Sequence, residues 1–181
     1  MRNDKLENIT LGAGCFWCVE AIFTALKGVE NVSPGYTGGE TENPTYKEVC
    51  TGATGHAEVA QISYDPSIIS IEEVLEVFWK THDPTTLNRQ GNDVGTQYRS
   101  AIFYHSEEQR IIAERIKKEL EDVKAWPNPI VTEISPLEHF YPAEDYHKNY
   151  FAEHGEEMYC KFVIQPKIDK FKRVFSSKVK H

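Results

Sequence analysis

One short stretch, Gly12-Ala13-Gly14-Cys15-Phe16-Trp17-Cys18-Val19-Glu20-Ala21-Ile22-Phe23, dictates a strand, a tight turn and a helix in immediate succession. Ile9 and Leu11 enter it as the end of a strand expected at residues 7–11. Gly12 and Gly14 allow a turn that larger side chains would obstruct. Beyond the turn Cys15, Val19, Ile22, Phe23 and Leu26 recur at helical spacing, and Gly28 supplies the stop. The helix is therefore expected from Cys15 to about Lys27. At or beside a helix N-terminus, unpaired N–H groups and the macrodipole favour an anion. For a cysteine the anion is the thiolate, which is the nucleophile. A free cysteine also packs well as a small apolar residue. The coincidence of glycines, helix start, two aromatics and a second thiol favours the reactive reading.

The chain has 181 residues, 40% of them hydrophobic and 12% aromatic, which suits a globular chain with a full core. No linker or repeat divides it. A single catalytic domain, 1–181, is expected, with a core at about 7–134 and a C-terminal extension at about 135–181. A net charge of −8 argues against nucleic acid as a partner. No apolar run approaches the roughly 20 residues of a spanning helix, so no membrane association is expected. Met1-Arg2-Asn3-Asp4-Lys5 opens no secretory h-region, and the cytoplasm is the default expectation. Four cysteines are too few for a disulfide scaffold and read as catalytic, redox-active or buried. Small size and absence of heptads favour a monomer.

A second strand is expected at 29–36, before the Pro34-Gly35 and Gly38-Gly39 turns. Pro44 suits the opening of a short helical turn. A third strand follows at 56–64. Ser70 with Glu73 forms a capping box, and Ile71, Val74, Leu75 and Phe78 share one face of the helix behind it. That helix must stop before Asp83-Pro84. A polar loop at 85–95 leads to a strand at 96–104. Ser106 and Gln109 cap a longer helix carrying Ile112, Ile116, Leu120 and Val123, and a fifth strand is expected at 130–134. The first six elements run strand, helix, strand, strand, helix, strand. That is the order of an α+β ferredoxin-like plait, a two-layer sandwich with a βαββαβ core, here followed by an additional helix and a C-terminal coil. The lysines around 167–172 read as a solvated helix face.

Three constellations carry chemistry. Cys15-x-x-Cys18 at a strand–helix junction suits thiol–disulfide exchange. A zinc site would need further ligands; Cys50 is isolated and reads as a buried structural thiol, so no metal is expected. Glu58 shares a strand face with Ala60, Ile62 and Tyr64. If buried there, its pKa rises and it holds a proton at neutral pH, as a general acid requires. In the third, Asn92-Asp93-Val94-Gly95-Thr96-Gln97-Tyr98, the tyrosine falls on one face with Ser100, Ile102 and Tyr104 and reads by periodicity as core. Tyr46, in a Gly/Pro-punctuated loop, is harder to explain by packing. His139, His147 and His154 fit no single helical face and read as scattered surface histidines.

Gly14-Cys15-Phe16-Trp17, Pro34-Gly35-Tyr36-Thr37-Gly38-Gly39, Asn43-Pro44-Thr45-Tyr46, Thr54-Gly55-His56-Ala57-Glu58, His82-Asp83-Pro84-Thr85 and Gly91-Asn92-Asp93-Val94-Gly95-Thr96-Gln97-Tyr98-Arg99-Ser100 stand in the order of a known family. With a weaker continuation through Tyr146-His147 and Tyr159-Cys160, the chain resembles class A of the peptide methionine sulfoxide reductases. The resemblance implies reduction of the S epimer of methionine sulfoxide, free or in proteins, without a cofactor. It implies Cys15 as nucleophile and Phe16 and Trp17 as the apolar seat of the substrate methyl group. Tyr46, Glu58 and Tyr98 would hold the sulfoxide oxygen, with Glu58 the proton donor, and Asp93 belongs to the same site by motif. Thioredoxin is the expected reductant.

The resolving thiol divides the two lines of reasoning. Cys18 is near Cys15 in sequence, and proximity alone favours it. Tyr159-Cys160 matches the usual resolving position of the family. Cys160 on a mobile segment is therefore expected to resolve first, with Cys18 second. Two other readings compete: a thioredoxin-like thiol–disulfide oxidoreductase using Cys15 and Cys18, which has no use for Glu58 or Tyr46, and a non-catalytic redox sensor.

Overall fold

The computed structural model describes residues 5–180. Its first strand, β1 (Glu7–Ala13), is buried from Ile9 onward and lies inside the sheet. Gly14 turns the chain at φ +89°, and a Cβ there would come within 2.8 Å of Gln90. Helix α1 (Phe16–Thr24) starts directly after it, with Cys15 as N-cap. The helix ends three residues before the expected Lys27. Leu26 bridges Val179 and Lys27 donates its N–H to the Lys178 carbonyl, so distant chain takes over the last turn.

Strand β2 (Val29–Thr37), helix α2 (Tyr46–Cys50), strand β3 (Ala57–Tyr64) and helix α3 (Ile71–Lys80) follow. The two capping boxes, Thr45 with Glu48 and Ser70 with Glu73, start α2 and α3. The two-residue strands β4 (Arg89–Gln90) and β5 (Asp93–Val94) form a separate hairpin. β6 (Ser100–Tyr104), α4 (Glu107–Asp122), β7 (Glu133–Pro136) and β8 (Tyr141–Pro142) lead to α5 (Tyr150–His154) and α6 (Gln165–Val174). The sheet order is β7-β6-β1-β3-β2-β8, and every pairing is antiparallel except β6 with β7. The molecule is a mixed α+β fold.

Side-chain alternation assigns the two faces. Ile9, Leu11, Ala60 and Ile62 pack against Val19, Ile22 and Phe23 of α1 and Val74, Leu75 and Phe78 of α3. Ala57, Val59, Ala101 and Phe103 point the other way, under Leu137 and Phe140. Glu58 is on the helix-covered face, as its alternation with Ala60 and Ile62 predicts.

Three further expectations change. The strand read at 96–104 begins at Ser100. Gly95, at φ +145°, starts a 3-10 turn over Thr96–Tyr98, closed by Tyr98 N–H to the Gly95 carbonyl at 3.0 Å. Tyr98 therefore does not share a strand face with Ser100. The fifth strand shifts from 130–134 to Glu133–Pro136, because Val131 gives its N–H to the Pro84 carbonyl. The C-terminal extension is helical rather than coil. A π-helical turn over Cys160–Ile164 runs straight into α6, whose Ile168 and Phe171 enter the main core while Lys170 and Lys172 face out and Lys167 is half-buried. Among the described residues, no helix is long and apolar enough to cross a membrane.

Candidate active site

Cys15 and Cys18 sit on the first turn of α1, where the Cys18 N–H bonds the Cys15 carbonyl at 3.1 Å. Their side chains are hydrogen-bonded and both are buried. Burial, the bond to Cys18 and the nearby Glu58 charge push the Cys15 thiol well above the ordinary range. The helix N-terminus thus does not leave a resting thiolate on Cys15: desolvation outweighs the dipole. Cys18, on the accepting side of the pair, is held low by that bond despite its own burial, with help from Lys167.

Glu58 stands opposite Tyr36 on the β2–β3 ladder and is 1% exposed. Burial raises its pKa to about 8, against the opposing pull of the Phe16 N–H and with a smaller push from Asp93. At neutral pH it is therefore a carboxylic acid, and its charge opposes ionisation of Cys15 only as the pH climbs past about 8. Its two oxygens differ. Oε1 accepts the Phe16 N–H at 3.2 Å, whereas Oε2 is buried without a partner. The protein thus holds a neutral carboxyl with one oxygen unspent beside the thiol pair.

Tyr46, on the first residue of α2, and Tyr98, in the 3-10 turn, converge on this centre. Burial raises both phenols well above the usual range, and the charges of Glu58 and Cys15 add to it. Both stay protonated donors. Tyr46 stacks on Phe16 with ring centroids 6.1 Å apart, and Phe16 meets Tyr36 at 5.7 Å. Asp93, in β5, accepts the Tyr159 hydroxyl at 2.8 Å. Cys15, Phe16, Trp17, Cys18, Tyr46, Glu58, Asp93 and Tyr98 thus occupy one region, with Cys160 at its border.

The border was largely invisible in the sequence. Glu144 accepts the Tyr36 hydroxyl and the Tyr46 N–H, both at 2.9 Å. Tyr150 lies flat on Trp17, with centroids 3.8 Å apart and planes 6° from parallel. Tyr159 meets Trp17 edge-on. His147, read as a surface histidine, is fully buried and accepts the Trp17 indole N–H at 3.0 Å. The density of aromatic and acidic residues at 141–150 was its only sequence signal. Cys50, read as a buried structural thiol, is exposed at the end of α2, where its sulfur bonds the Tyr46 hydroxyl. Cys160 is fully buried in the π-helical turn rather than on a loose segment, and it feels the Cys18 thiol.

A mixed α+β scaffold that buries a hydrogen-bonded thiol pair beside a protonated carboxyl defines a thiol-dependent redox enzyme. Residues 7–179 match the family described as Peptide methionine sulfoxide reductase, and the chain belongs to that family. It is 58% identical over 175 residues to "Peptide methionine sulfoxide reductase MsrA" of Saccharolobus solfataricus, covering 97% of this chain and 98% of that one. Mxr1 from Saccharomyces cerevisiae in reduced form superposes with a TM-score of 0.81 at 38% identity, covering 87% of this chain and 91% of that one. Mxr1 in complex with Trx2 gives 0.58 at 29% identity, covering 82% and 86%.

Proposed function

We propose that this chain reduces the S epimer of methionine sulfoxide, free or in proteins, through a sulfenic acid on Cys15. The observation that carries the reading is Glu58: a buried, protonated carboxyl whose Oε2 has no partner within the protein. A sulfoxide oxygen is the acceptor such a group lacks. The phenols of Tyr46 and Tyr98 supply two further donors, and Phe16 with Trp17 seats the methyl group. Asp93 fixes one edge through Tyr159. Protonation of oxygen by Glu58 makes the sulfur electrophilic. The Cys15 sulfur attacks it, the S–O bond breaks, and the hydroxyl passes to Cys15. Methionine leaves, and the Cys15 proton replaces the one Glu58 gave.

The sulfenic acid then condenses with a thiol and releases water. Cys18 is the first partner in this reading, because its side chain already bonds that of Cys15. Cys160, buried in the π-helical turn within reach of the Cys18 thiol's influence, then exchanges to a Cys18–Cys160 disulfide and frees Cys15. This order reverses the one expected from the family resemblance, and the burial of Cys160 supports the reversal. Thioredoxin is the dithiol that closes the cycle, in line with the complex formed by the yeast relative. The cytoplasm, which keeps thiols reduced, is the compartment this cycle suits.

The scaffold reads as a ferredoxin-like plait. The central order β6-β1-β3-β2 and the placement of α1 and α3 on one face support it. The chain acts as one catalytic domain, in which residues 135–181 complete the site rather than form a separate unit. The test is dithiothreitol-driven reduction of each epimer of blocked methionine sulfoxide, followed by peptide mapping after one turnover without reductant. Turnover of the S epimer alone is expected, with a Cys15–Cys18 bond appearing first. Absence of turnover together with rapid reduction of insulin disulfides would favour a plain thiol–disulfide oxidoreductase.

A further inference from the structure

The two ring nitrogens of His147 occupy unlike positions. Nδ1 accepts the indole N–H of Trp17 at 3.0 Å. An indole nitrogen can only donate, so Nδ1 carries no proton, and in the neutral ring the proton lies on Nε2. Nε2 is buried and has no hydrogen-bond partner. The ring packs 5.0 Å from Phe16 and 4.3 Å from Tyr46, inside the aromatic seat. A histidine used only as filler would not need a nitrogen there, since a phenyl ring fills the same volume without stranding a buried donor.

Trp17 is held by contacts of two kinds: ring packing, closest with Tyr150 and edge-on with Tyr159, and one hydrogen bond. The face-to-face contact with Tyr150, 3.8 Å at 6°, fixes the plane of the indole. Stacking is non-directional within that plane and leaves the ring free to rotate and slide. The bond to His147 is the directional contact, and it fixes the remaining freedom. We propose that His147 is the positioning residue of Trp17: its unprotonated Nδ1 sets the in-plane orientation of the indole and hence the shape of the seat for the substrate methyl group. This rests on the seat assigned above to Phe16 and Trp17.

Protonating Nδ1 would turn the acceptor into a donor facing a donor, and the tether would be lost. The titratable groups that face His147 are Tyr46 from α2, the adjoining Tyr146 and Glu144 in the turn before it. Burial lowers the pKa of His147 while the Glu144 charge opposes that shift, so release falls below the ordinary histidine range.

Three variants separate the two nitrogens. His147→Asn puts an amide oxygen near the position of Nδ1, His147→Gln puts its polar end near Nε2, and His147→Phe has neither. Each is assayed for kcat and KM on blocked methionine sulfoxide with dithiothreitol, and for the indole N–H resonance of Trp17. His147→Phe and His147→Gln are expected to raise KM about tenfold with a smaller change in kcat, and to shift the indole resonance. His147→Asn is expected to stay within about threefold of wild type in KM and to keep the resonance. It should also lose the acid limb that wild-type kcat/KM shows below the ordinary histidine range.

Wild-type activity in His147→Phe would overturn the proposal. So would failure of His147→Asn alongside a working His147→Gln, which would make the Nε2 proton the useful group. A pH titration of the Trp17 resonance in the wild-type protein needs no variant. The resonance must move with His147 protonation, and a flat response also overturns the tether. Because that reading is independent of turnover, a wild-type protein that reduces no sulfoxide would refute the assigned function separately.

Discussion

The floor and the cover of the site are built by different means. Cys15, Phe16 and Glu58 stand on β1–α1 and β3, and backbone ladders to β2 and β6 hold those elements in place. The cover, residues 141–160, has only one two-residue strand and short helical turns of its own. Beyond the short β2–β8 pairing and the Ala143 N–H on the Pro34 carbonyl, it is attached by side chains: Trp17 to His147, Tyr36 to Glu144 and Tyr159 to Asp93. A ladder fixes geometry through many equivalent bonds, none of which depends on residue type. The cover depends on a few specific bonds, each worth about 1 kcal/mol, and can open by losing them. Chemistry thus sits on the rigid part, and access is governed by the weaker one.

Substitutions in the floor should therefore abolish or slow the chemical step, while those in the cover should act on binding. The largest effect is expected for Cys15→Ser, which has neither thiolate nor sulfenic state. Dithiothreitol-driven turnover should fall to background while circular dichroism stays unchanged. Glu58→Gln keeps a hydrogen-bond donor but cannot deliver a proton. The single-turnover rate should drop about 10²-fold, at the low end for general acid catalysis because Tyr46 and Tyr98 still donate. The wild-type rate should also fall as pH rises through about 8, where Glu58 gives up its proton, and that limb should vanish in the variant. Loss of rate from a Glu58 substitution with the pH limb intact would remove it as the acid.

In the cover, Tyr159→Phe deletes the bond to Asp93 and little else. KM should change about three- to tenfold with kcat nearly constant, as measured by steady-state kinetics on a blocked substrate. An equal fall in kcat would erase the distinction between floor and cover. The smallest effect is expected for Cys50→Ala, because the thiol is exposed and its Tyr46 contact is replaceable by water. Activity within about twofold of wild type is the expected result in the same assay.

The same division explains what the sequence disclosed. Cys15, Glu58 and the helix after Gly14 are announced by turn residues and by periodicity, which are local signals. The capping box of Ser70 with Glu73 is local too, and it forms as read. Tyr98 was misplaced because Gly95 coils the chain just where alternation looked unbroken. His147 and Glu144 are marked locally only by an aromatic and acidic stretch that does not reveal their roles, since their partners lie 130 and 108 residues away. Cys160 looked like part of a loose end because nothing in its neighbours reveals a helix that packs back on the core. Cys50 looked like core because it directly follows Val49 and a free cysteine packs well as a small apolar residue, yet only Val49 faces inward.

The closing stitches between the ends of α1 and residues 178–180 bear on how the protein is made. Lys27 reaches the Ser177 carbonyl across 150 residues of chain, and the Lys180 N–H bonds the Ala25 carbonyl. On a ribosome adding about 5–20 residues per second, those partners are synthesised roughly 8–30 s after the helix they clamp. The sheet that carries Glu58 can pair long before then. During that interval the catalytic helix is synthesised but not yet fastened at its far end, so the nascent chain holds its reactive thiol in an unfinished setting.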